Sequence, residues 1–267
     1  MKTPCDYRPF FAFEDDVPEG LFQKGQPVWT ALDRLNEHIR KHITPNISGL
    51  IRPGVPVEKH LVLFKRQWLE DGFEVVCSRS TGGRFQVVLD GSVCRECSVI
   101  CAGAIFSDDQ VEIGAGVTIE PGALIKGPAV IGDFTEIRQG AYLRGDCLIG
   151  RKCVVGHTTE VKHSIFLEGA KAAHFAYIGD SILGRNCNLG AGTKFANLRF
   201  ASGSINVKID DSSVDTGRRK IGAVMGDNVQ TGCNSVTNPC SLIGMDSIIV
   251  PNATVKPGFY PPRSIIR

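Results

Sequence analysis

From Ile113 onward an aliphatic side chain returns at every sixth residue, at Ile113, Ile119, Ile125, Ile131, Ile137, Leu143, Ile149, Val155 and Val161. Two positions before each stands a small or β-branched residue: Val111, Val117, Ala123, Ala129, Thr135, Ala141, Cys147, Cys153 and Thr159. Glycine follows the aliphatic residue at Gly114, Gly132, Gly150 and Gly156. The pattern returns as Met225, Thr231, Thr237, Ile243, Ile249 and Val255, with Val229, Ser235, Ser241, Ser247 and Ala253 as the small set. A period of six matches neither the helical period of 3.6 nor the strand alternation of 2. A unit repeated at a fixed period predicts stacking, each repeat burying its apolar face on its neighbours. The register shortens by one residue between Val161 and Phe166, continues through Ala172 and Ile178, and shortens again at Leu183. Residues 198–222 lose the pattern and read as an excursion ending in Val214-Asp215-Thr216-Gly217-Arg218-Arg219-Lys220, and a long break in a strict repeat marks function or an interface.

This pattern resembles the hexapeptide repeat of left-handed parallel β-helices, in which three hexapeptides make one triangular coil. The expected fold class is mainly β: a left-handed parallel β-helix of hexapeptide repeats over residues 93–267, with a small α+β N-terminal region over residues 1–92. The aliphatic residue would fill the prism, the small one would sit beside it near a corner, and glycine would permit the tight turn. Coils would stack like parallel strands, about 4.8 Å apart.

In the N-terminal region, Pro27 to Ile43 predicts an amphipathic helix with Val28, Leu32, Leu35, Ile39 and Ile43 on one face and Pro27 in its first turn. Phe73 to Cys77 and Arg84 to Leu89 predict two strands around Thr81-Gly82-Gly83. Val57 to Leu69 is open between helix and strand. A terminal coil needs covering, so the whole region is expected to cap the N-terminal end of the solenoid.

Composition narrows the field. The 267 residues carry 30 Lys+Arg against 28 Asp+Glu. Nucleic-acid contact needs clustered cations, so no nucleic-acid partner is expected. No run approaches the apolar length of a membrane span, and Met1-Lys2-Thr3-Pro4-Cys5-Asp6 lacks the apolar core of a signal peptide. A cytoplasmic location follows as the expectation. Of the ten cysteines, Cys147, Cys153 and Cys187 take the small inward position and Cys101 falls on the same grid, so they read as small structural hydrophobes. Cys94-x-x-Cys97 with Cys101 and Cys77 has the elements of a zinc site, but a lone CxxC is weakly specific. His38 and His42 stand four apart without a third ligand. No metal is expected.

Arg144 and Lys162 differ by 18, one full coil, and so stack on one face. Tyr177 and Asn197 flank the next inward residues of that face, while His174 belongs to the preceding one. The segment Ala172-Ala173-His174-Phe175-Ala176-Tyr177-Ile178-Gly179-Asp180, with Asn186-Cys187-Asn188-Leu189-Gly190-Ala191-Gly192-Thr193, resembles the acetyltransferase domain of the bifunctional glucosamine-1-phosphate acetyltransferase / N-acetylglucosamine-1-phosphate uridyltransferase. The resemblance covers residues 110 to 267 and is tightest from Arg144 to Asn197. It implies an acetyl-CoA-dependent N-acetyltransferase acting on an amino-sugar phosphate, with His174 as the catalytic base. Arg144 and Lys162 would bind the sugar phosphate, and Tyr177, Asn188 and Asn197 would contact the substrate. It further implies a homotrimer with acetyl-CoA in the groove between chains, near Ala191, Cys233, Pro251 and Arg267; Cys233 stands where the family has a serine near the CoA thiol.

Chemistry adds to this. A neutral imidazole suits removal of an amine proton, and we expect Glu160 to orient it. The Gly190-Ala191-Gly192 turn would offer backbone N–H donors to the oxyanion. The uridyltransferase signature is absent, and the family's lysine-bearing loop is replaced by the 198–222 excursion. Lys208, Arg218, Arg219 and Lys220 are therefore alternatives for its phosphate contact. His157 and His163 match nothing and read as surface residues. Alternative functions are acyl transfer to a nucleotide-linked amino sugar and a catalytically silent trimeric scaffold that binds a sugar nucleotide. Leu143-Arg144-Gly145-Asp146 suggests a γ-type carbonic anhydrase, but the spacing of His157, His163 and His174 does not fit its zinc site.

Overall fold

The computed structural model describes residues 6–13, 18, 20–77, 83–209 and 212–267. The opening segment Met1–Cys5 and the turn residues Thr81-Gly82 lie outside the described residues. Three parallel sheets form the sides of a prism, the left-handed parallel β-helix expected from the repeat. Along the first face run Ser98–Ile100, Thr118–Ile119, Glu136–Ile137, Val154–His157, Lys171–His174, Asn188–Leu189, Gln230–Thr231, Ile248–Ile249 and Ile265–Ile266. The second face holds Ile105–Phe106, Leu124–Lys126, Tyr142–Arg144, Glu160–Lys162, Tyr177–Gly179, Lys194–Phe195, Val236–Thr237 and Thr254–Val255. The third face runs from Val111–Ile113 to Gly258–Tyr260.

The inward ladder follows the hexapeptide grid: Leu143, Val161, Ile178 and Phe195 pair in register on the second face and are fully buried. Both one-residue slips fall at the corner between the second and third faces, where Lys162-His163 and Gly179-Asp180 replace Arg144-Gly145-Asp146. Cys147, Cys153 and Cys187 fill the small inward positions. Burial pushes the Cys147 and Cys153 thiols up to about 12, which keeps them protonated. In the first coil the grid position belongs to Ile100, paired with Ile119; Cys101 packs instead with Val62, Val87 and Val99 under the covering hairpins.

The glycines stand where the repeat predicts them, but for a different cause. Gly132 and Gly150 are absent from the left-handed residues; a Cβ on Gly150 would sit 2.8 Å from the Phe166 carbonyl oxygen of the next coil, and one on Gly132 would sit 2.7 Å from Gly150 C. Close stacking of coils, rather than turning, excludes a side chain there. Left-handed φ falls one step later, in rows that climb each corner. The row between the third and first faces is Gly116, Phe134, Lys152, Gly169, Asn186, Asn228, Asp246 and Arg263. The row between the first and second faces is Gly122, Gly140, Thr158, Phe175, Gly192, Asn234 and Asn252.

A second core lies outside the prism. On the third face the outward residues Val130, Leu148, Ile165, Ile182, Val224, Leu242 and Phe259 pair into one apolar column. It is covered by Phe10, Phe11, Leu21, Trp29 and helix α1 (Thr30–His42), which buries Ala31, Leu32, Leu35 and Ile39. The predicted helix thus starts three residues late, because Pro27, Val28 and Trp29 form a turn whose carbonyls accept from Thr30, Ala31 and Leu32. The excursion is a folded element too. Its hairpin, Asn206–Ile209 with Ser212–Asp215, buries Ile205, Val207 and Ile209 in the same outer layer. Asp227 ties the layer down: its N–H donates to Phe10 O at 2.7 Å and its Oδ2 accepts from Ala12 N at 3.0 Å.

The expectation of a single end cap is therefore corrected. Residues 6–13 and 20–43 clad one side of the solenoid because its outward column is apolar. The end is closed by Leu61–Phe64 and Gln67–Leu69, a hairpin within the segment left open between helix and strand, which pairs antiparallel with Ser98–Ile100. The antiparallel sheet Phe73–Cys77, Phe85–Leu89, Ser92–Cys94 packs beside it. Cys94 and Cys97 form a disulfide, so they are not free zinc ligands. No helix among the described residues is long and apolar enough to cross a membrane.

Replacing Gly150 by Ala should destabilise the fold by about 1–3 kcal/mol through overpacking, and Ile182→Ala should cost about 2–5 kcal/mol through the cavity left in the outer core. Urea unfolding followed by circular dichroism measures both.

Candidate active site

The second face carries two outward rows. Tyr142, Glu160, Tyr177 and Lys194 align in one, and Lys126 pairs with Arg144, and Lys162 with Gly179, in the other. Arg144 donates from Nη1 to Glu160 Oε1 at 2.5 Å, and this bond raises the guanidinium pKa above its ordinary value. Glu160 thus serves Arg144. Its expected bond to His174 is not made, and the His174 imidazole has no hydrogen-bond partner among the described residues.

The corner between the second and third faces holds a buried hub. Asp180 is 5% exposed. Its Oδ2 accepts from Asn197 Nδ2 at 2.6 Å and lies 3.8 Å from Lys162 Nζ. Tyr177 OH donates to Asn197 Oδ1 at 3.4 Å, and burial raises the phenol's pKa. On its other side Asp180 meets Arg218 Nη2 at 3.9 Å. Lys162, Tyr177 and Asn197 are thereby gathered round one carboxylate, with Arg144 one coil away. Lone cations facing a solvated phosphate would be free to sway, and the shared carboxylate limits that sway.

His163, expected at the surface, stands in this corner between Asp146 and Asp180. Its side chain is 19% exposed; Nδ1 lies 3.5 Å from Asp146 Oδ2, and Nε2 lies 2.9 Å from Leu32 O of α1. The imidazole holds the Asp146 carboxyl below the usual carboxylate range, with the Asn36 amide adding to the effect. Arg218 is ion-paired to Asp33 of α1 as well as to Asp180, with its side chain 15% exposed. Of the four basic candidates it is therefore engaged in holding the layers together. Lys208 sits on the hairpin over the third face, and Arg219 and Lys220 are exposed.

The remaining candidates climb the opposite corner. Backbone bonds one coil apart stack Gln139, His157, His174, Ala191, Cys233 and Pro251 in a single row: Thr158 N donates to Gln139 O, Phe175 N to His157 O, Gly192 N to His174 O, Asn234 N to Ala191 O and Asn252 N to Cys233 O. Arg267 lies just off its end, after the pair Ile249–Ile266. Asn188 is on the first face in the row of Lys171, whereas His174 pairs with His157. Within the Gly190-Ala191-Gly192 turn the two glycine N–H groups are spent on Thr231 O and His174 O. Only the Ala191 N–H is without a described partner. Phe175, which the sequence reasoning passed over, follows His174 at φ 52° and is exposed, with its ring edge-on to His157 at 5.2 Å.

One prism therefore divides the predicted site residues: base and cofactor candidates line one corner, Arg144, Lys162, Tyr177 and Asn197 gather towards the other, and Asn188 stands apart at the start of the first-face strand. The profile of the GMPPB C-terminal domain family matches residues 125–265, more than half of the sequence. The chain belongs to this family. It is also similar to a bifunctional sugar-1-phosphate nucleotidylyltransferase/acetyltransferase from Sulfurisphaera tokodaii, 42% identical over 89 residues, 33% of this chain and 22% of that protein. A bifunctional protein GlmU from Methanococcus maripaludis is 43% identical over 88 residues, 33% of this chain and 21% of its own. The GlmU of Methanocaldococcus jannaschii is 50% identical over 62 residues, 23% of this chain and 15% of its own. The chain thus spans about a fifth of the length of the first curated relatives it matches. A solved UDP-N-acetylglucosamine acyltransferase aligns at 14% identity and a TM-score of 0.21, covering 59% of this chain and 68% of that one; the fold assignment rests on the family match and the strand pairing.

Asp180→Ala should destabilise the protein by about 3–5 kcal/mol, because Lys162 and Arg218 lose a buried counter-charge. Asp180→Asn should cost less. Denaturant titration of the two variants beside wild type measures the difference.

Proposed function

We propose that the chain transfers an acetyl group from acetyl-CoA to the amine of an amino-sugar phosphate of the glucosamine-1-phosphate kind. The observation that carries this is the convergence of Lys162 and Asn197 on buried Asp180, with Tyr177 bonded to Asn197 and Arg144 one coil away. This is a pre-ordered cationic and amide surface suited to a sugar phosphate. Arg144 offers a planar fork to phosphate oxygens and Lys162 a point charge. Asn197 and Asn188 offer amides to sugar hydroxyls.

His174 acts as general base. As the amine nitrogen bonds to the thioester carbonyl carbon, the imidazole accepts the ammonium proton; it then returns that proton to the sulfur as the C–S bond breaks. The Ala191 N–H is the donor left over for the oxyanion. The short side chains at Ala191, Cys233 and Pro251 would let the extended arm of CoA lie along the corner, with Arg267 near its end for phosphate. Glu160, bonded to Arg144, positions the phosphate clamp rather than the base.

The two corners bound opposite edges of the second face, so a homotrimer supplies the complete site: the His174 corner of one chain would meet the Arg144–Lys162 corner of its neighbour. The relatives' names support the acetyltransferase class.

Acetyl transfer to glucosamine-1-phosphate, read by mass spectrometry, tests the proposal. Wild type should turn over and His174→Ala should lose at least about a hundredfold in kcat. Lys162→Met should act mainly on KM for the sugar phosphate. Absence of turnover in wild type would overturn the assigned acceptor, and a monomer by light scattering would overturn the shared site.

A further inference from the structure

A large cavity lies away from both corners just described. It holds about 550 Å³ between the strands Phe85–Leu89 and Ser92–Cys94 and the coils at Thr118 and Glu136 on the first face, within the usual range of small-molecule sites. It is two coils from His174 along that face, about 10 Å at the strand spacing of a sheet.

The floor of this cavity breaks a rule that the rest of its corner keeps. Phe134 has φ 58° in a row otherwise made of Gly, Lys, Asn, Asp and Arg. A bulky aromatic residue is a costly choice for left-handed backbone. Its ring is not consumed by packing, being 40% exposed. Beneath it stands Gly116, where a Cβ would run into the ring and lie 2.7 Å from the Arg95 carbonyl. One side of the ring, at Cδ1 and Cε1, thus lies against the glycine, and the residue lines the cavity. Strain that persists at an exposed aromatic residue points to use rather than to packing.

The charges are uneven. Glu136 is held by Arg138 at 2.7 Å, with Arg84 at 3.6 Å, and Glu120 accepts from Gln139 N at 2.8 Å. The Arg95 guanidinium has no ion pair or hydrogen bond among the described residues, and Arg84 is largely exposed. A cavity lined by the Phe134 ring, with the Arg95 guanidinium unpaired among the described residues and the exposed Arg84 only loosely paired to Glu136 at 3.6 Å, asks for a ligand that is planar at one end and anionic at the other. We propose that this cavity binds a nucleoside phosphate, the base stacked on Phe134 and the phosphate at Arg95 and Arg84. Base stacking on an aromatic ring tolerates any base, and Gln86 and Glu120 provide hydrogen-bonding groups for its edge.

The test uses isothermal titration of the full chain with uridine 5′-diphosphate and guanosine 5′-diphosphate, with inorganic pyrophosphate as the ring-free control. At least one nucleotide should bind about tenfold more tightly than pyrophosphate, and saturating acetyl-CoA should leave that binding in place. Phe134→Asn, which keeps a residue suited to the left-handed corner, and Arg95→Gln should each weaken it by about tenfold, with the unfolding midpoint of Phe134→Asn unchanged or raised. The proposal is overturned by no nucleotide binding at millimolar concentration, by equal binding of pyrophosphate, by displacement with acetyl-CoA, or by binding that survives both substitutions. A fall in the unfolding midpoint of Phe134→Asn without loss of binding would assign the ring to packing instead.

Discussion

Every functional side chain in this molecule is placed by the hydrogen-bond ladder that ties each coil to the next. The ladder fixes a repeat of 18 residues, or 17 where a corner is tightened, so a residue's neighbours above and below follow once its own position is set. Glycine is compelled by the same constraint. At Gly132 and Gly150 the neighbouring coil comes too near for any Cβ. Because the coils cannot slide, the corner rows act as rulers. His174, Ala191, Cys233 and Pro251 fall in line although they are scattered over nearly eighty residues of sequence.

The tightened corner shows how a local change in this ladder gains chemical meaning. Dropping one residue after Val161 and again after Ile178 brings His163 and Asp180 directly over Asp146. It also places a buried carboxylate where Lys162 and Asn197 can reach it. α1 and the excursion then close on the same corner through Leu32, Asp33 and Arg218. The polar network therefore belongs both to the candidate site and to the seam between the two cores.

The inward ladder was legible in the sequence, including both slips, since a strict period leaves no other arrangement for Phe166 and Leu183. The glycines were found for the wrong reason: the repeat showed where they recur, while coil-to-coil contact is a tertiary fact. The outer core was legible but missed. Ala129-Val130-Ile131, Cys147-Leu148-Ile149 and Ala223-Val224-Met225 are apolar throughout, the mark of a strand buried on both faces. The role of His163 could not be read, because its partner Leu32 O is 131 residues away and belongs to another layer. The assignment of Glu160 to His174 failed for a simpler cause: Arg144, stacked one coil away, reaches it first.

A bare solenoid can fold as it is synthesised, each new coil settling on the one before, because nearly all of its contacts are short in sequence. The cladding of the third face removes that freedom. The carbonyls of Pro9 and Phe10 accept from the N–H groups of Met245 and Asp227, and the hairpin that shares their core follows residue 205. During synthesis the phenylalanine-rich segment must therefore remain undocked while most of the prism is wound, and the last coils complete the surface that receives it. Order of manufacture and order of burial run in opposite directions along this chain, which makes the N-terminal segment the part most exposed to wrong partners before folding ends.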